Sequence, residues 1–281
     1  MADSTVSKAV AALLCCVYMA AAGAAAASTG TSRAQSEMQT QTISETRTQA
    51  SPAPSETLRT ESQTDVETAS ADVRKMVALT FDDGPSMPHT DKILDLLTAN
   101  GAKATFFVVG QRVADYADVL RRAEAQGCQI GNHTFDHKTL TALSAQNIRT
   151  QIEKTDDAVR DTLGVAPKIL RAPGGSVNSK VRAAADKPIV LWSIDTEDWR
   201  FGGKAGRNTP ANRDQVIRAA TENAQDGDII LMHDLYAMTA QCCETIIPRL
   251  REAGFELVTV DELMRAKKIK MEKSAVYRSA R

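Results

Sequence analysis

The sequence predicts an α/β fold in which one closed or nearly closed barrel holds a single core, and three observations point to it. From Lys75 onward, seven short apolar runs alternate with amphipathic stretches of helical length. That alternation is the order parallel crossovers need. Glycines 101, 127, 164 and 254 stand where the amphipathic stretches should stop. Polar clusters follow the strand ends: Asp82-Asp83, His133, Arg171, Asp195 and His233. In barrels of this kind the chemistry gathers at the carboxyl ends of the strands, and about 200 residues suit one barrel better than two domains.

In chain order, the first strand is expected over 77–81, where Val-Ala-Leu-Thr-Phe runs without a charge. A helix over 90–100 ends at Gly101, and a second strand over 104–109 ends in Phe-Phe-Val-Val. Helix 113–126 stops at Gly127 and leads into a short strand at 129–131. Helix 144–163 stops at Gly164, with a strand at 169–171 and a helix at 179–186 beyond it. Strand 189–194, helix 212–223, strand 228–232, helix 240–253 and strand 256–258 complete the set.

The ends of the chain read differently. The run of nineteen apolar residues at 9–27 follows Lys8 and closes on Ala24-Ala25-Ala26-Ala27-Ser28. Residues 1–27 are therefore expected to be an export signal with a small-residue cleavage site, or, if retained, a membrane anchor. Residues 28–73 hold no aromatic side chain and carry three arginines against seven acids. Such a Ser/Thr/Gln-rich segment buries too little to repay ordering and is expected to be a disordered linker. The folded domain is expected over 74–264, and 265–281, with seven basic residues and one acid, as a solvated, frayed basic tail. With 43% hydrophobic residues, 25% charged residues and a net charge of −1, nothing in the bulk favours nucleic acid. Of five cysteines, Cys128, Cys242 and Cys243 fall outside the leader, an odd number that leaves at least one thiol unpaired.

Two motifs point to metal chemistry. Adjacent carboxylates at a strand end, Asp82 and Asp83, are expected to project to opposite sides, one toward a metal and one toward a proton. His133 and His137, four apart, would share one side of a helical turn and reach the same ion. Three protein ligands leave coordination positions open, as hydrolytic sites require. Zinc suits mixed nitrogen and oxygen donors, and cobalt or nickel would be accepted by the same set.

Five ordered segments carry a resemblance: Thr80-Phe81-Asp82-Asp83-Gly84-Pro85, His133-Thr134-Phe135-Asp136-His137, Arg171-Ala172-Pro173-Gly174-Gly175, Asp195-Thr196-Glu197-Asp198-Trp199 and Leu231-Met232-His233. Over roughly 75–264 the chain resembles the polysaccharide deacetylases of the NodB-homology, or carbohydrate esterase family 4, type. The resemblance implies a deformed (β/α)7-type barrel, a divalent metal, and removal of acetyl groups from N-acetylglucosamine polymers or acetylated xylan. It makes Asp83, His133 and His137 the metal ligands and Asp82 the catalytic base. Arg171 would orient that base, and the Gly174 N–H would serve an oxyanion hole at a position where a tyrosine is commoner. His233 would protonate the departing amine with Asp195 fixing its imidazole. Trp199 and Leu231 would receive the acetyl methyl group while Asp198 braces their loop.

The expected activity is hydrolysis of linear amide C–N bonds in peptidoglycan, with chitin oligomers, an O-acetyl xylan esterase or a catalytically silent glycan-binding domain as alternatives. Leader and linker together imply an exported bacterial protein, extracellular or cell-surface associated, acting as a monomer without nucleic acid.

Overall fold

The computed structural model describes residues 74–281. The leader and linker expected at 1–27 and 28–73 lie outside the described residues. The chain runs β1 (Lys75–Asp82), α1 (His89–Ala99), β2 (Thr105–Val108), α2 (Gly110–Val113), α3 (Ala117–Ala125) and β3 (Gln129–Asn132). It continues through α4 (Ala145–Leu163), α5 (Ser179–Ala184), β4 (Ile189–Val190), β5 (Ile194–Asp195), α6 (Pro210–Thr221) and β6 (Ile229–His233). It finishes with α7 (Ala237–Glu252), β7 (Phe255–Leu257), α8 (Val260–Ala266) and β8 (Val276–Tyr277).

The strands close into a deformed barrel. One sheet runs β3-β2-β1-β6-β5, all parallel. Leu170 bridges Asn132 on one side and Ile189 on the other, so the path from β3 reaches the 189–195 stretch and returns through β6 to β1. The strand expected at 169–171 is thus a single-residue stave. Pro167 and Pro173 flank it, and proline offers no N–H to extend a ladder. The expected strand 189–194 divides because it changes partner. Leu191 N donates to Tyr277 O at 2.7 Å, whereas Ser193 N donates to Ile229 O at 3.0 Å. A second distortion sits at β1, whose first half pairs with β7 and second half with β2.

Buried apolar side chains explain the placement. Val77, Ala78, Leu79 and Phe81 on β1 are fully buried, as a strand covered on both faces demands. Phe81 stacks on Phe106 with centroids 5.2 Å apart. Helix α4 starts at Ser144, whose side chain accepts from Asn147 N, and ends at Gly164 with φ 78°. Helix α8, which the sequence reading lacked, has a capping box made by Thr259 and Glu262.

The C-terminal segment is a packed strap, contrary to the frayed tail expected from its charge. β8 pairs with β4, Ala280 is buried, and Ile269, Met271 and Tyr277 pack against a buried cluster that includes Ile169, Val190, Ile229 and Leu263. Its cations are spent on acids: Lys273 meets Asp186 at 2.7 Å and Arg281 meets Asp228 at 3.1 Å, with Lys267 on Asp226. Apolar residues spaced among the lysines anchor it, a pattern that charge counting hides. Cys128, Cys242 and Cys243 are buried free thiols. Among the described residues, no helix is long and apolar enough to cross a membrane.

Candidate active site

Register brings the first pair of reactive groups together. Asp82, the last residue of β1, lies opposite His233, the last residue of β6. The next residue, Asp83, takes φ 74°. This left-handed turn, rather than the alternation of extended backbone, aims its carboxylate. Asp83 therefore stays beside Asp82 in the same cleft, a correction to the opposite-sided arrangement expected from sequence.

The two histidines do not sit on a helix. Residues 133–137 form a loop after β3 in which Thr134 has φ 68° and His137 φ 58°. Side chains from the core hold this shape. Asn132 Oδ1 accepts from Thr134 N at 2.8 Å, and Gln151 Oε1 of α4 accepts from Phe135 N at 2.9 Å and Asp136 N at 3.1 Å. Neither Asn132 nor Gln151 belongs to a motif that sequence reasoning singled out, and only the fold reveals them.

Asp83 Oδ1 lies 3.2 Å from His133 Nε2 and 3.0 Å from His137 Nε2. One donor atom from each of the three residues lies within 4.8 Å of the others. His133 Nδ1 faces the Arg171 carbonyl at 2.8 Å. A carbonyl only accepts, so Nδ1 carries the hydrogen and Nε2 turns a lone pair toward Asp83. Asp83 Oδ1 is buried and accepts no well-formed hydrogen bond. Lone pairs facing one another around a buried carboxylate oxygen repel unless a cation lies among them, so this donor set fits a divalent metal.

Asp82 is held on one oxygen and free on the other. Its Oδ1 accepts from Arg171 Nη1 at 2.8 Å, and its Oδ2 faces His133 Nε2 at 3.7 Å. Arg171 is fully buried and donates also to Thr80 Oγ1 at 2.8 Å, Val190 O at 3.0 Å and Leu191 O at 3.0 Å. Its guanidinium lies 4.0 Å from the Phe107 ring centroid. A guanidinium fork so placed offsets the charge of the Asp82 carboxylate and fixes its direction.

His233 pairs with Asp198, not with Asp195. His233 Nδ1 lies 2.8 Å from Asp198 Oδ1, while Asp198 Oδ2 accepts from His233 N at 2.8 Å and Thr239 Oγ1 at 2.6 Å. Asp195 lines the cleft but spends Oδ1 on Glu197 N at 2.8 Å, bracing the loop. The two aspartates exchange the roles expected of them, because Glu197 at φ 57° turns the chain and buries Asp198 against His233. Burial works against a charged imidazole, yet the hydrogen bond and charge of Asp198, with Asp82 and Asp83 beyond, raise His233 to about 9.

These groups line one cleft of about 420 Å3 with Gly174, Trp192, Asp195, Trp199 and Leu231. Gly174 has φ 60° and lines the cleft, and the turn around it is closed by Gly175 N donating to Ala172 O and Ser176 N to Pro173 O. His89 begins α1 and does not line the cleft.

A parallel barrel with a three-ligand metal centre and an acid and a base beside it defines a metal-dependent hydrolase. The chain belongs to the polysaccharide deacetylase family, whose model matches residues 69–188. It is 42% identical over 197 residues to a peptidoglycan-N-acetylglucosamine deacetylase of Listeria monocytogenes, covering 70% of this chain and 40% of that protein. The chain thus spans well under half the length of that relative. The solved peptidoglycan deacetylase PdaC of Bacillus subtilis is 37% identical with a TM-score of 0.64, covering 69% of this chain and 92% of that one. A family 4 acetyl xylan esterase of Clostridium thermocellum, solved with a cobalt ion, is 33% identical with a TM-score of 0.67, covering 73% and 98%.

Proposed function

We propose that this chain is a metal-dependent deacetylase that hydrolyses the N-acetyl group of N-acetylglucosamine residues in peptidoglycan. The observation that carries the reading is the meeting of three groups in one cleft: the Asp83, His133 and His137 cluster, the Arg171-bound Asp82, and the Asp198-bound His233. The ion we assign is zinc, with cobalt and nickel as chemically acceptable substitutes. When bound, it polarises the acetyl carbonyl and makes water a usable nucleophile at neutral pH.

The protein's own groups do the rest. Asp82 Oδ2, free of Arg171, accepts the proton of the attacking water. The Gly174 N–H donates to the carbonyl oxygen as it gains charge. His233, protonated near neutral pH and held at Nδ1 by Asp198, delivers a proton from Nε2 to the departing nitrogen. An amine leaves slowly without that proton, so a strongly basic imidazole suits an amide substrate. Trp199 and Leu231 enclose the acetyl methyl group.

The named activities of the Listeria and Bacillus relatives support peptidoglycan as the polymer. Export on residues 1–27 would set a monomeric enzyme beside the bacterial wall, tethered by the leader or released. Mass spectrometry of muropeptides and chitin oligomers incubated with zinc-loaded protein tests the reading through a loss of about 42 mass units per acetyl group hydrolysed. No loss on either substrate refutes it. The Clostridium thermocellum relative favours a second reading, an O-acetyl esterase. Changing His233→Ala separates the two, because an alkoxide needs less help to leave: equal losses on amide and ester count against amide specialisation.

A further inference from the structure

Both tryptophans of this chain, Trp192 and Trp199, line the reaction cleft. Trp199 is 45% exposed and takes the methyl-enclosing place described above, but Trp192 has no part in the chemistry. Its ring is nonetheless carefully seated. The Arg171 guanidinium lies 5.7 Å from the ring centroid. Gly175 approaches so closely that a Cβ there would stand 2.8 Å from Trp192 Cη2. With φ 65°, position 175 also disfavours any side chain. Gly174 is the opposite case: a Cβ built there meets nothing within 4 Å. Gly175 thus makes room for the ring, which is half-buried, packs against buried apolar side chains on its far side and lines the cleft.

We propose that Trp192, seated at the cleft wall by Gly175 and Arg171, binds a second sugar ring of the glycan, next to the ring that loses its acetyl group. This rests on the deacetylase reading and adds that the substrate is an oligomer of at least two pyranoses. The cleft, about 420 Å3, exceeds what an acetyl group needs and falls in the usual range of ligand pockets, about 300–1,000 Å3. A pyranose presents a face of C–H groups, and a seated indole offers it a rigid apolar surface with few rotamers to freeze. Arg171 thereby has two duties, holding Asp82 at one end and the Trp192 ring at the other.

The test compares zinc-loaded wild type, Trp192→Ala and Trp192→Phe on two substrates. One is the N-acetylated tetrasaccharide that wild type cuts fastest, and the other is 4-nitrophenyl acetate, too short to reach the ring. For Trp192→Ala the ratio of kcat/KM on tetrasaccharide to that on ester falls about tenfold, mainly through KM, and Trp192→Phe restores most of it. Equal losses on both substrates, or a ratio within twofold of wild type for Trp192→Ala, overturn the inference. Wild type that releases no acetate from any oligomer overturns the deacetylase reading as well, and shows it before any substitution is made.

Discussion

Replacing Asp198 with asparagine should separate the acid from the base. The carboxylate is fully buried and satisfies four donors: His233 Nδ1, His233 N, Trp199 N and Thr239 Oγ1. An amide of the same shape keeps the packing but loses the charge and one acceptor. Burial drives the imidazole down while Asp82 and Asp83 still draw it up, so without Asp198 the His233 value falls from about 9 toward its ordinary 6.5. At pH 7 the protonated share then drops from about 99% toward about a quarter. The rate on an N-acetylated oligosaccharide should fall about a hundredfold or more, the usual worth of a positioned general acid. The alkaline limb of kcat against pH should move toward acid by about two units. On an acetyl ester, whose leaving group needs less protonation, the loss should be smaller. Stability follows the same sign. A raised imidazole stabilises the fold fully below about 6.5 and loses that contribution as pH rises through about 9, so the Asp198→Asn deficit should shrink in alkaline buffer. An unmoved alkaline limb, with equal losses on amide and ester, would refute the assignment of His233 as acid and Asp198 as its partner.

Other outcomes follow from the same contacts. Asp83→Ala or His137→Ala should reduce bound zinc from one ion per chain to background in elemental analysis, since each removes one of three ligands. Zinc binding to the wild type should lower the His233 value seen by NMR titration, because the cation offsets the Asp82 and Asp83 charges that help raise it. Arg171→Met removes the charged partner of the buried Asp82 and should cost about 3–5 kcal/mol in urea unfolding, and Arg171→Lys should not recover the loss, having no fork to reach Thr80, Asp82, Val190 and Leu191 together. Gly84→Ala puts a Cβ 2.2 Å from both Asp234 carboxylate oxygens and should destabilise by about 1–3 kcal/mol in thermal unfolding, a loss that pairing with Asp234→Ala should partly relieve. Ending the chain after Lys268 should expose Ile189 and Val190 and lower the melting temperature, where a frayed tail would leave it unchanged.

Much of the site was legible because its chemistry is local in sequence. Asp82-Asp83 and His133/His137 stand in short segments whose residue types admit few other uses, and the barrel was readable from alternating apolar runs and helix-stopping glycines. The misreadings were conformational. A spacing of four suggested a helix, but Asn132 and Gln151 pin 133–137 as a loop. Two aspartates three apart could each have served His233, and only the turn at Glu197 decides for Asp198. The basic run at 265–281 looked solvated because its partners, Asp186, Asp226 and Asp228, lie far away in sequence.

By itself the sequence determined which groups are present, their order along the chain and the strand ends that carry them, since hydrophobic period and donor type are properties of neighbouring residues. Tertiary structure alone decided which carboxylate charges His233, which oxygen of Asp82 stays free, that a left-handed Asp83 joins the histidines, and that Trp192 lines their cleft. Each of those depends on angstrom distances between segments dozens of residues apart, set by strand register and by backbone angles that propensity does not encode.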